Sequence, residues 1–405
     1  MAVVCSHLVI GAGAIGAAIA YRLAQAGAER VIVLEQFELG HALGSSGDHS
    51  RLIRASYHRP EYGALAPEMF RSWREIEART GLPLYHRIGG LDLAQASDPH
   101  ALGQLRAYRA AVDVAGLEAE DLDAAGIRAR FPQWRIDDDV EGFAQPDAGF
   151  VDVRRSVSAH VSLALAAGVE FRPRTRATGI ELREGRVVVR ADGETFEAGS
   201  LAIAAASWAQ PLYEELGLRI PLTLSEEQVS YYTSTRLADF APERFPVWVW
   251  HGRETYYGFP VYGEAGVKLG QDLGGRLISS EERTHLGDDA TAAPLRRFLD
   301  ERLPAVDGPA LRHLRCVYDM APDREFILDA IPGHPNVAIA NGAGHAGKFA
   351  PLLGEIVAEL LLKGASSRDL APFRLDRPAI VDPRFEPTLH LGVRGEGAAE
   401  DAPAP

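Results

Sequence analysis

The stretch Gly11-Ala12-Gly13-Ala14-Ile15-Gly16 stands between an apolar run, Leu8-Val9-Ile10, and an alanine-rich segment from Ala14 to Gln25. The order is strand, glycine turn, helix. Gly27 closes the helix, and Val31-Ile32-Val33-Leu34 supplies a second strand that ends at Glu35, 19 residues after Gly16. In such a unit Gly11 permits the tight turn, Gly13 lets the backbone approach a pyrophosphate, and Gly16 lets helix and strand pack closely. Ala14 and Ile15 open the helix whose N-terminus attracts phosphate. Glu35 is placed to accept hydrogen bonds from an adenosine ribose. An acid there disfavours a 2′-phosphate, hence NADP, and leaves NAD and FAD both open. Helix–strand packing without a ligand is the competing reading; the complete set of strand, helix and acid argues against it.

The rest of the chain sets bounds on function. A formal net charge of −14 argues against a nucleic-acid or anionic-membrane partner. Cys5 and Cys316 are the only cysteines, too few for a disulfide framework or a CxxC metal site, and no metal is expected. A reducing cytoplasm fits. The first ten residues lack a cationic leader and read as a strand rather than a signal peptide. No run approaches the roughly 18 apolar residues of a membrane span.

Further along, apolar spacing predicts a helix from about Glu61 to Arg79, a strand at Gly90–Ala94 and two helices within 98–131. Ser156–Ala167 reads as helix, Val169–Phe171 as strand, Val187–Phe196 as a hairpin and Leu201–Ala205 as a small-residue strand. Residues 218–320 look strand-rich. Val337-Ala338-Ile339-Ala340 is a buried-type strand, followed by the turn Asn341–Gly347 and a helix from Lys348 to about Lys363. Dinucleotide-type units thus lie at both ends of the chain. The expected fold is α/β: a Rossmann-like cofactor domain from 1–80, 146–215 and 325–385. A second α+β substrate domain, 81–145 and 216–324, is expected on a mixed or antiparallel sheet. The polar segment 386–405 is expected to be disordered.

The loop Gly44-Ser45-Ser46-Gly47-Asp48-His49-Ser50-Arg51-Leu52-Ile53-Arg54 carries hydroxyls and two arginines. Later come Tyr256-Tyr257-Gly258-Phe259-Pro260, Gly266-Val267-Lys268-Leu269-Gly270, Arg315-Cys316-Val317-Tyr318 and Phe326-Ile327-Leu328-Asp329. Gly344-His345-Ala346-Gly347-Lys348-Phe349-Ala350-Pro351 and Arg377-Pro378-Ala379 follow. In this order, over about residues 6–380, these motifs resemble the monomeric sarcosine oxidase and N-methyltryptophan oxidase family of flavin-dependent amine oxidases, within the D-amino-acid-oxidase-like superfamily.

The resemblance implies FAD, attached through Cys316 as a thioether. It implies Lys268 as the group that activates O2, and Arg54 with Lys348 as the grip on a substrate carboxylate. Arg51 packs on the flavin face. Ser45, Ser46, Ala177, Gly342, Gly344, His345, Gly347 and Lys348 join the cofactor-binding set, with the Gly342–Gly347 turn aiming N–H groups at the ring. Tyr257 and Tyr318 shape the pocket. The implied reaction is hydride transfer from a secondary, N-methyl or cyclic amino acid to flavin N5, giving an imine, with O2 reduced to H2O2, by a monomer. The bland readings are a core cysteine at 316, a strand-edge lysine at 268 and surface charges at 54 and 348. Lys268 alternates with Val267 and Leu269, so it faces either water or cofactor. Lys348 at a helix start opposes the helix dipole, which hints at an anionic partner.

One departure concerns the substrate. Sarcosine-type members carry an aromatic and a histidine where Gln271 and Asp272 stand, and Asp272 can attract an ammonium or a second cationic side chain. Trp248 and Trp250 share a strand face that lines either a pocket or the core. Two other functions stay open: a flavin dehydrogenase or desaturase tailoring an amino-acid-derived intermediate, and a non-catalytic dinucleotide sensor.

Overall fold

The computed structural model describes residues 2–279 and 281–388, so most of the expected tail, 389–405, lies outside the described residues. Alternate residues of the N-terminal strands feed two cores. Val9, Val31 and Val33 face the helices; Leu8, Ile10, Ile32 and Leu34 face the opposite layer. A strand buried on both faces must be apolar throughout, which is why Val31–Leu34 is.

These strands form the parallel centre of an eight-stranded sheet. Its order is Glu170–Arg172, Val31–Leu34, Val3–Ile10, Glu194–Ile203, His334–Asn341, a Rossmann-like arrangement. The hairpin Ala177–Arg183/Arg186–Ala191 adds antiparallel to the first half of Glu194–Ile203, and Ile327–Ile331 adds to His334–Asn341. The helix Ala14–Gln25 packs between Val153–Ala166 and Ala350–Lys363.

The second, nine-stranded sheet is almost wholly antiparallel. Thr223–Tyr232 carries Ala310–Met320 on one edge and Val267–Asp272 with Arg276–Ile278 on the other. Thr255–Phe259, Val247–His251, Gly90–Gln95, Val140–Gln145 and Glu120–Asp123 continue the order; only Val247–His251 with Gly90–Gln95 is parallel. Alternation sends Val267 and Leu269 into the core and Lys268 and Asp272 to the opposite face. A small sheet, Arg51–Ile53, Gly149–Val151 and Tyr85–Arg87, holds Arg51 and the start of the Arg54 segment.

Three expectations change in detail. The two helices within 98–131, Pro99–Val114 and Ala124–Arg130, are separated by the strand Glu120–Asp123. The strand-rich region contains the helix Asp289–Arg302, capped where the Asp288 side chain accepts from the Thr291 N–H. The helix after the Asn341–Gly347 turn begins at Ala350, not Lys348, because Pro351 sits in its first turn; Lys348 lies in the preceding 3₁₀ turn, Ala346–Phe349. Trp248 and Trp250 are core residues against Trp134 and Phe298.

Candidate active site

The face carrying Lys268 and the C-terminal ends of the parallel strands enclose one cavity of about 590 Å³. It is lined by every residue singled out from the sequence as catalytic or cofactor-binding except Gly16. Gly16 works from outside the wall: a Cβ there would sit 1.9 Å from the Gly11 carbonyl oxygen, so no other residue allows this approach of helix to turn. Gly11 itself has φ +101°, in the left-handed region.

At the glycine-turn end, Glu35 accepts from the Ala12 N–H at 2.9 Å and the Phe37 N–H at 3.0 Å. Burial pushes its carboxyl up, but His41 and these two N–H groups outweigh that and hold it below its usual range. Glu35 therefore presents an ionised acceptor beside Thr175 and Ala177. The serine loop joins this end to the other. Ser46 Oγ accepts from the Ala14 N–H at 3.1 Å, and Ser45 Oγ donates to the Val317 carbonyl at 2.6 Å, next to Cys316. A cavity lined by a glycine turn, a helix N-terminus and an ionised acid fits a dinucleotide.

Lys268 is 2% exposed. Its Nζ lies 2.5 Å from Asp48 Oδ2, donates to the Ser50 carbonyl at 2.8 Å, and sits 4.3 Å from the centre of the Phe259 ring. Burial lowers the ammonium pKa to about 8, with Asp48 opposing and Arg51 adding to the fall. Asp48 Oδ1 accepts from Tyr231 Oη at 2.7 Å, and Arg51 lies 3.4 Å from Oδ2. Two cations thus share one carboxylate, leaving a positive excess beside Cys316. The half-buried Cys316 thiol is pushed up to about 11 by burial; Arg51 and Lys268 pull it down, Glu227 and Asp48 push it up.

Arg54 and Lys348 converge on Tyr57. Lys348 Nζ donates to Tyr57 Oη at 2.6 Å and to the His345 carbonyl at 3.1 Å, and the Arg54 guanidinium lies 5.7 Å from the Tyr57 ring centre. Among the described residues Lys348 has no carboxylate within ion-pair reach. Burial drives its pKa well below the usual value, and Arg54 and Arg324 add to the fall against Asp272. Asp272 is gripped bidentately by Arg324, at 2.8 and 2.6 Å, so of the two partners open to it from the sequence the structure shows a guanidinium. Burial raises the Asp272 pKa, and Arg324 outweighs it.

Four N–H groups of the Gly342–Gly347 turn are engaged otherwise than expected. The Ala343 N–H donates to Asn341 Oδ1, Gly344 to Asp319 Oδ1, and His345 and Ala346 to the Gly342 carbonyl. These four N–H groups are engaged within the protein and are not free to point at a ligand. Gly344 instead makes room: it has φ +78°, and a Cβ there would lie 2.4 Å from Tyr318 Cγ.

Sequence reading missed Asp48, Asp92, Tyr108, His251 and Arg324 as site residues. One signal was visible: Asp92 is a carboxylate inside the apolar strand Gly90–Gln95. Arg324, in the loop after Met320, carries none.

Residues 7–360 match the family described as FAD dependent oxidoreductase. The chain is 32% identical over 375 residues to monomeric sarcosine oxidase of Streptomyces avermitilis, covering 90% of this chain and 96% of that one. It is 33% identical over 386 residues to N-methyl-L-tryptophan oxidase of Citrobacter koseri, covering 91% and 98%. Among solved structures, NikD, an amino acid oxidase essential for nikkomycin biosynthesis, superposes with a TM-score of 0.81 at 28% identity, covering 92% and 97%. With this cavity, glycine turn and extent of match, the chain belongs to the FAD-dependent oxidoreductase family.

Proposed function

We propose that this chain is an FAD-dependent oxidase of a secondary amino acid, N-methylated or cyclic. The observation that carries the reading is the pair Arg54 and Lys348: two buried basic groups meeting at Tyr57, with no carboxylate within ion-pair reach of Lys348 among the described residues. Burial, Arg54 and Arg324 push Lys348 toward its neutral amine, and an anion arriving beside it favours the ammonium again. A substrate carboxylate is such an anion, and the guanidinium fork fixes its plane. Relatives named for sarcosine, N-methyltryptophan and amino acid oxidation support the same class.

The glycine turn, Glu35, the serine loop and Arg51 would hold FAD, and Cys316 would anchor it covalently. Bound there, FAD would supply the acceptor for a hydride equivalent from the carbon beside the amine and the route of those electrons to O2, with an imine and hydrogen peroxide as the products. The chain's part is placement and charge. Arg54 and Lys348 orient the substrate, the bulk of Tyr257 and Tyr318 confines it, and Lys268 offers a desolvated positive charge where O2 is reduced. Lys268→Met is expected to slow reoxidation of the reduced enzyme by O2 about a hundredfold while leaving anaerobic reduction by substrate near wild type. Reoxidation at the wild-type rate would remove Lys268 from the oxidase reading and favour a dehydrogenase. Acid precipitation of the purified protein should give a yellow pellet. A white pellet under a yellow supernatant would remove the covalent link.

A further inference from the structure

Asp92 lies behind Arg54, 1% exposed, and does not line the cavity that Arg54 lines. Every acceptor position of its carboxylate is filled. Oδ1 accepts from Arg54 Nη1 at 3.1 Å and lies 2.8 Å from His251 Nε2; Oδ2 accepts from Ser56 Oγ at 3.0 Å and Gln145 Nε2 at 2.9 Å. A carboxylate so saturated cannot also bind a ligand, so it acts through its partners.

Gln145 extends the cluster to the backbone. Its Nε2 donates to Ser56 Oγ at 2.8 Å, and its Oε1 accepts from the Ala55 and Ser56 N–H groups at 3.2 and 3.3 Å. The guanidinium and the main chain that follows it are therefore tied to one buried set of groups. Tyr108 closes the cluster from the helix Pro99–Val114, 4.9 Å from the Arg54 guanidinium and with its ring 4.5 Å from that of His251. Within this hold Arg54 spends Nη1 on Asp92 and Ser56, while its buried Nε finds no acceptor among the described residues.

We propose that Asp92, seated by His251, Ser56 and Gln145, is a positioning residue that holds the Arg54 guanidinium in place for the substrate carboxylate. This rests on the reading of Arg54 as half of a carboxylate clamp. A fixed guanidinium loses less freedom when its ligand arrives, so affinity for the carboxylate depends on the hold. A purely electrostatic role has the opposite sign, since removing a negative charge behind Arg54 would strengthen its attraction for anions.

Benzoate and its uncharged isostere benzamide, titrated into the flavin-loaded protein and followed by flavin absorbance, separate these cases. Wild type is expected to bind benzoate more tightly than benzamide. Asp92→Asn is expected to weaken benzoate about tenfold, leave benzamide within about twofold, and add nothing further in an Arg54→Gln background. Unchanged or tighter benzoate binding by Asp92→Asn overturns the proposal, as does an additive loss in the double variant. Equal binding of the two probes by wild type overturns the clamp itself. Where Asp92→Asn yields no folded flavoprotein, His251→Leu withdraws one donor from Asp92 without changing charge. It is expected to weaken benzoate about threefold with benzamide unmoved; unchanged benzoate binding there overturns the proposal too.

Discussion

At Lys268 the cost of burying an ammonium is only partly offset by Asp48, and Arg51 works against the charge from nearby. The sign follows from those neighbours. With the pKa near 8, Lys268 is charged below that pH and neutral above it, so reoxidation by O2 should slow as pH rises through about 8. Asp48 holds the charge in place, so Asp48→Asn should move that decline to lower pH. Stopped-flow reoxidation across pH 6 to 10, roughly two units either side of that value, checks it. A profile unmoved by the substitution would dismiss Asp48 as the partner that sets it. The pairing itself was not legible: Asp48 and Lys268 are brought together at 2.5 Å by tertiary folding alone. The family resemblance marked Lys268 as a candidate, strand alternation left it facing water or cofactor, and the fold puts it on the cavity.

The helix Ala14–Gln25 shows what was legible at the scale of an element. Its glycine turn, alanine-rich body and following strand follow from local pattern, because turn strain and close packing leave few residue choices. The same economy holds between helices. Gly354, in Ala350–Lys363, would place a Cβ 2.6 Å from the Ala18 carbonyl carbon and 2.7 Å from its Cβ. Backbone cannot yield cheaply there, so Gly354→Ala should cost about 1–3 kcal/mol. Thermal unfolding of the flavin-loaded protein should show a lower Tm; an unchanged Tm would mean the helices part more easily than their spacing implies. Less legible was Asp289–Arg302, where Pro294 interrupts a helical pattern of Ala292, Leu295, Phe298 and Leu299. The start of Ala350–Lys363 was blurred in the same way, since a 3₁₀ turn and an α-helix present similar short spacings.

Over the whole molecule, the cavity gathers residues from the chain's first turn, the loop after its second strand, the nine-stranded sheet and the last glycine turn. The protein carries a net charge of −14, yet it concentrates Arg51, Arg54, Lys268, Arg324 and Lys348 around one space. Three carboxylates, Asp48, Asp92 and Asp272, stand directly against four of these cations and leave Lys348 without one. Composition hides this arrangement, and spacing along the chain does not encode it: Arg324 and Asp272 meet only because their loop and strand adjoin in the fold. On the proposed reading, Lys348 and Arg54 together select a substrate by its carboxylate. Anaerobic mixing of the flavin-loaded enzyme with N-methyl and cyclic amino acids, each beside its decarboxylated amine, tests this directly. At least one amino acid should bleach the flavin absorbance while its carboxylate-free counterpart does not. Bleaching by the amines to the same extent, or by none of the compounds, would contradict it.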